Sequence, residues 1–140
     1  RTTLVGARFV FLDGDEVILR DLDIRGRPAL DGGIGGGYSS DPHNGASNMQ
    51  AEGGCLTASG VANITIADSS FSFCSASHSG GAAHLGYEAN VWFNSVRFLN
   101  NSGGIRGGAV QMTMEANVRF TMCEFSGNTA QSGGAPSIGG

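Results

Sequence analysis

A glycine pair returns along this chain at an almost constant interval. Gly53-Gly54, Gly80-Gly81, Gly107-Gly108 and Gly133-Gly134 follow one another at separations of 27, 27 and 26 residues. The sequences between them align without a gap until their last few positions. Asn63, Asn90 and Asn117 share a column, as do Ile64, Val91 and Val118; Ile66, Phe93 and Phe120; and Phe71, Phe98 and Phe125. A period of this size marks an array in which each unit hides its apolar face only against its neighbours.

Inside each unit the apolar positions are two apart, as in Ile64 and Ile66 or Phe71 and Phe73, and they are β-branched or aromatic. Gly-Gly, Asn-Ser, Ser-Gly and Gly-Asn pairs punctuate them, so short strands are predicted rather than helices. A unit holding two or three such strands has the size of one coil of a parallel β-helix, with like residues stacked about 4.8 Å apart. The chain is therefore expected to be all-β, a single domain over 1–140 built as a solenoid of roughly four to five coils. The glycine pairs supply corners that need positive φ or close backbone approach.

The amino-terminal part fits the same scheme loosely. Val17, Leu19, Leu22 and Ile24 sit where Ile64, Ile66, Ser69 and Phe71 sit later, which makes residues 1–33 diverged coils. Leu4, Ala7, Phe9 and Phe11 read as a strand that ends at the Asp13-Gly14 turn. Residues 34–52 read as one long loop insertion rich in Gly, Ser and Asn, and loops of that length are commonly functional. Regular repeats occupy 53–135, and 133–140 begins a partial repeat. Neither end reads as capped, and the start at Arg1 without a signal-peptide pattern reads as a mature or trimmed product.

Two motifs recur in phase. Gly80-Gly81-Ala82 with Phe98-Leu99-Asn100-Asn101, and Gly107-Gly108-Ala109 with Phe125-Ser126-Gly127-Asn128, resemble the GGA[ILV] and FxxN repeats of polymorphic outer-membrane-protein-type surface proteins. The first block departs from the pattern, with Gly53-Gly54-Cys55 and Phe71-Ser72-Phe73-Cys74. The resemblance implies a right-handed parallel β-helix displayed outside the cell for adhesion or surface architecture, without a catalytic group.

Charge and composition narrow the function. A net charge of -4, with eight cations that are all Arg and dispersed, speaks against a nucleic-acid groove. No apolar run approaches the ~18 residues of a membrane span. The 24 glycines in 140 residues would signal disorder if they were not in register. Cys55, Cys74 and Cys123 fall in three different columns and read as small buried hydrophobes, or as disulfide partners in a secreted protein.

Stacking also brings polar residues together. Asp21 with Asp68, and Glu88 with Glu115, form carboxylate pairs; Asp23, Ser70, Arg97 and Glu124 form a mixed row. Paired carboxylates about 5 Å apart bind a cation or share a proton, which supports an alternative reading as a polysaccharide lyase or hydrolase. The favoured reading is a solvated acidic surface with no catalytic, cofactor or metal residue. His78 and His84 flank a Gly-Gly corner and His43 adjoins Asp41; all read as solvated. Asn63 and Asn100 open N-glycosylation sequons. Asn63, Asn90 and Asn117 alternatively read as an amide ladder, which would exclude a glycan at Asn63 if turned inward. Thr65, Trp92 and Arg119 form an outward column offering a cation–π contact and a surface for sugar or a partner. The function expected is an extracellular or cell-surface structural or adhesive protein. It self-associates end to end into a filament and touches glycans or a host or neighbouring surface.

Overall fold

The structure, a computed structural model, describes residues 1–12, 14–26, 54–86, 88–113 and 115–131, with the backbone of 137–138. The expected insertion at 34–52, with Asp41 and His43, and most of the partial repeat at 133–140 lie outside the described residues. Every regular element among the described residues is a strand. In chain order they are β1 (Thr2–Val5), β2 (Phe9–Phe11), β3 (Glu16–Arg20) and β4 (Leu22–Arg25). Then come β5 (Leu56–Ala58), β6 (Asn63–Ala67), β7 (Ser70–Ser72) and β8 (Ser75–Ala76), followed by β9 (Ala83–Leu85), β10 (Asn90–Asn94), β11 (Arg97–Leu99) and β12 (Ser102–Gly103). The last are β13 (Val110–Met112), β14 (Asn117–Thr121), β15 (Glu124–Ser126) and β16 (Ser137–Ile138).

These strands build three main parallel sheets. Sheet one is ordered β2-β5-β9-β13-β16, sheet two β3-β6-β10-β14 and sheet three β1-β4-β7-β11-β15, with a short β8-β12 pair beside them. Each regular repeat passes once through sheets one, two and three. Its strands pair with those 27 residues on, as Asn63↔Asn90↔Asn117 and Phe71↔Phe98↔Phe125 show. The diverged segment keeps this register: Val17 opposes Ile64, Leu19 opposes Ile66 and Ile24 opposes Phe71. The expected single strand before Asp13 is instead two. Gly6, at φ 69, separates β1 in sheet three from β2 in sheet one.

Corners between sheets two and three need one left-handed residue, because a strand cannot change direction in a single step otherwise. Asp21, Asp68, Ser95 and Met122 hold that position at φ 56, 49, 56 and 52. Asp and the short polar Ser bond locally and tolerate this region; Met does not. Met122 is also 77% exposed, so its side chain gains little from packing. Met122→Asn is expected to raise stability by about 1 kcal/mol, read as a higher urea midpoint at unchanged slope.

The core lies between the three sheets and draws on all of them. Sheet three sends in Ile24, Phe71, Phe98 and Phe125; sheet two sends in Leu19, Ile66, Phe93 and Phe120. Phe71, Phe98 and Phe125 stack at centroid distances of 5.4 and 4.8 Å, and Phe93 stacks on Phe120 at 5.2 Å. The two piles meet edge to face, with Phe93 5.2 Å from Phe98. Offset and T-shaped arrangements both suit the ring quadrupole, so the aromatic columns add to area burial.

The Gly-Gly corners work by two different means. Gly80 and Gly107 take φ 70 and 57, while their successors allow close approach. A Cβ on Gly81 would overlap the carbonyl oxygen of Gly108, and one on Gly54 that of Gly81. Stacked corners therefore exclude any side chain at the second glycine.

Candidate functional site

The two departures from the repeat motif touch each other. Cys55, which replaces the alanine of GGA, is bonded to Cys74, which replaces the asparagine of FxxN, with Cα atoms 5.7 Å apart. Both are buried. Ala82 with Asn101, and Ala109 with Asn128, hold the corresponding places in the later repeats. The disulfide replaces the apolar reading for two of the three cysteines. Cys123 remains a thiol, half-buried, its single S–H shared between the carbonyl oxygens of Phe93 and Thr121, each 3.4 Å from Sγ.

An amide ladder exists, but not where the Asn63, Asn90 and Asn117 column placed it. Those three precede inward-facing Ile64, Val91 and Val118, so alternation turns them outward, and their side chains form no hydrogen bond among the described residues. The ladder is made by the FxxN asparagines. Asn101, fully buried, accepts at Oδ1 from the Cys74 N–H (3.0 Å) and donates from Nδ2 to the Phe71 carbonyl (3.1 Å). Asn128 repeats the arrangement one unit later: its Oδ1 accepts from the Asn101 N–H (3.0 Å) and Nδ2 (2.9 Å), and its Nδ2 donates to the Phe98 carbonyl (2.9 Å). The preceding residue, Asn100 or Gly127, is left-handed at φ 53 or 67, which swings the asparagine under the corner.

The carboxylate pairs have a conformational origin. Asp21 and Asp68 occupy the left-handed corner between sheets two and three, and Glu88 and Glu115 occupy another at φ 65 and 63; all four are exposed. The row Asp23, Ser70, Arg97 and Glu124 is in register on the outer face of sheet three. Its members, with Arg25 two residues from Asp23, satisfy one another. Asp23 Oδ1 accepts from the Ser70 hydroxyl (2.7 Å), Asp23 Oδ2 pairs with Arg25 (2.8 Å), and Arg97 pairs with Glu124 (3.0 Å).

Hydrogen bonds from Arg25 and then Ser70 hold the Asp23 carboxyl below its ordinary range, against a smaller opposing effect of burial. A depressed folded pKa stabilises above the unfolded value and is lost as pH falls through the folded one. Arg25→Gln is expected to move the Asp23 titration upward, followed by NMR of its side-chain carboxyl; an unmoved titration would contradict this assignment.

The histidines divide. His78 is exposed as expected. His84 is not solvated: it lies in β9 between the core residues Ala83 and Leu85, points to the outer face, and is only 8% exposed. Thr57 and Gln111, its register partners, are buried too. Nothing in the local sequence announces that burial. Among the described residues no group of His, Cys, Asp and Glu could hold a metal. Nor is any helix there long and apolar enough to cross a membrane.

The outward face of sheet two carries the row Ile18, Thr65, Trp92 and Arg119. Trp92 is 41% exposed. Its Nε1–H donates to Thr121 Oγ1 on β14 (3.1 Å), and the Arg119 guanidinium carbon sits 5.9 Å from the ring centroid. Asn63 and Asn100, the sequon asparagines, are both exposed. No protein-family model matches this chain, and neither a curated protein nor a solved structure matches it.

Proposed function

We propose that the chain is a right-handed parallel β-helix of the polymorphic outer-membrane-protein-type repeat class. It serves outside the cell as a structural and adhesive module that extends by stacking coil on coil. The observation that carries this reading is the state of the last fully described repeat. β14 and β15 pair on one side only among the described residues, and Phe120 and Phe125 beneath them are half-buried where Phe93 and Phe98 are fully buried. An unpaired parallel edge over an apolar row is a template for another strand of the same kind. A second copy presenting β1 and β3 would cover it, and that contact is heterologous, so it propagates instead of closing. Light scattering and negative-stain microscopy across a concentration series test the idea. Growing linear particles are expected, and a particle that stays monomeric throughout would reject self-stacking.

The disulfide supports the extracellular assignment, since such bonds persist in oxidising compartments. Thiol counting on denatured protein isolated without reductant is expected to find one reactive cysteine, Cys123, and three after reduction. Three before reduction would remove the compartment argument. Asn100, exposed at the head of the Asn100-Asn101-Ser102 sequon, is compatible with a glycan on such a module.

A further inference from the structure

The outward face of sheet two holds chemistry that neither the fold nor the stacking uses. Strand β10 sends Asn90, Trp92 and Asn94 to one side, and β14 sends Asn117, Arg119 and Thr121 beside them. The Trp92 ring is held in place: its nitrogen is bonded to Thr121 and a guanidinium lies over it, yet much of it stays open to solvent. Arg119 is exposed and has no carboxylate partner among the described residues, unlike Arg25 and Arg97, which are paired. Asn63, Asn90 and Asn117 add a row of amides, in register and unspent on hydrogen bonds among the described residues.

Those three groups match the three parts of an acidic sugar. A fixed aromatic face receives the apolar C–H face of a pyranose, planar amides give and accept bonds from hydroxyls, and an unpaired guanidinium takes a carboxylate through two parallel N–H donors. We propose that the face formed by β6, β10 and β14 binds a uronate-containing saccharide, with Trp92 under the sugar ring, Arg119 on the carboxylate and the Asn63, Asn90 and Asn117 row on the hydroxyls. The site lies on the flank of the sheets and leaves their edges free, so it deepens the adhesive part of the proposed function without depending on end-to-end stacking.

The chain contains one tryptophan, so its fluorescence reports on this site alone. Unglycosylated full-length chain is titrated with a hyaluronan hexasaccharide, with neutral cellohexaose, and with polyglutamate as a non-sugar polyanion. A saturable fluorescence change with the uronate sugar only is expected. Arg119→Gln is expected to weaken it about tenfold, while Arg97→Gln on sheet three leaves it unchanged. Calorimetry on Trp92→Ala, which lacks the reporter, is expected to show no binding. Equal binding of cellohexaose or of polyglutamate, an unaltered affinity in Arg119→Gln, or no saturable change with any probe overturns the proposal. Light scattering on the same samples reports stacking independently, so a failed titration and a failed filament are distinguishable outcomes.

Discussion

Replacing Phe98 by alanine is expected to lower stability by about 4 kcal/mol, enough to unfold a marginal domain at moderate temperature. The ring is fully buried and meets four others: Phe71 at 5.4 Å and Phe125 at 4.8 Å in its own pile, Phe93 at 5.2 Å and Phe120 at 6.3 Å in the adjoining one. Removing it deletes the apolar transfer energy and opens a cavity between two rows that cannot close, because the strand spacing holds them apart. Phe125→Ala is the internal comparison. That ring is only half-buried and has neighbours on fewer sides, so its loss is expected to be smaller. Urea unfolding of both variants measures the difference, and equal losses would show that the piles do not act as columns.

Asn101→Ala is expected to cost about as much, roughly 4 kcal/mol, for a different reason. It strips the Cys74 N–H of its acceptor and the Phe71 carbonyl of its side-chain donor in a corner closed to water. Each buried group left unmet is worth about 1–3 kcal/mol. Asn101→Asp tests the assignment by pH. The introduced carboxylate would face the Phe71 carbonyl and Asn128 Oδ1, both acceptors, without solvent, so its folded pKa is raised above the unfolded value near ~3.9. The unfolded state then releases the proton first, and stability falls as pH rises from the unfolded toward the folded pKa. The variant is therefore expected to be most stable in acid relative to the parent chain. A destabilisation independent of pH would mean that Nδ2 is not the donor to those oxygens.

Much of this architecture is legible in the spacing of residues. Parallel pairing at a 27-residue offset turns a sequence column directly into a stack, which is why Ile64, Val91 and Val118 or the three phenylalanines fall where alignment puts them. Alternation would also have placed Asn63 outward, since it adjoins inward Ile64. The ladder asparagines escaped that logic. Asn101 follows a left-handed residue, and a corner of that kind resets the in-out alternation on which strand reading depends. The disulfide was half visible: both departures from the motif stand out in one block, and only the geometry of the corner makes them partners. The burial of His84 has no local signature at all.

The ladder bonds also have a sense. Every asparagine in them reaches back to the preceding unit, Asn101 to Cys74 and Phe71, Asn128 to Asn101 and Phe98, and none reaches forward. A corner is thus left with an open N–H until the next 27 residues arrive to close it. The stack carries an arrow, and it points the way a chain is made, amino end first: each new layer seals the one before it and exposes the next.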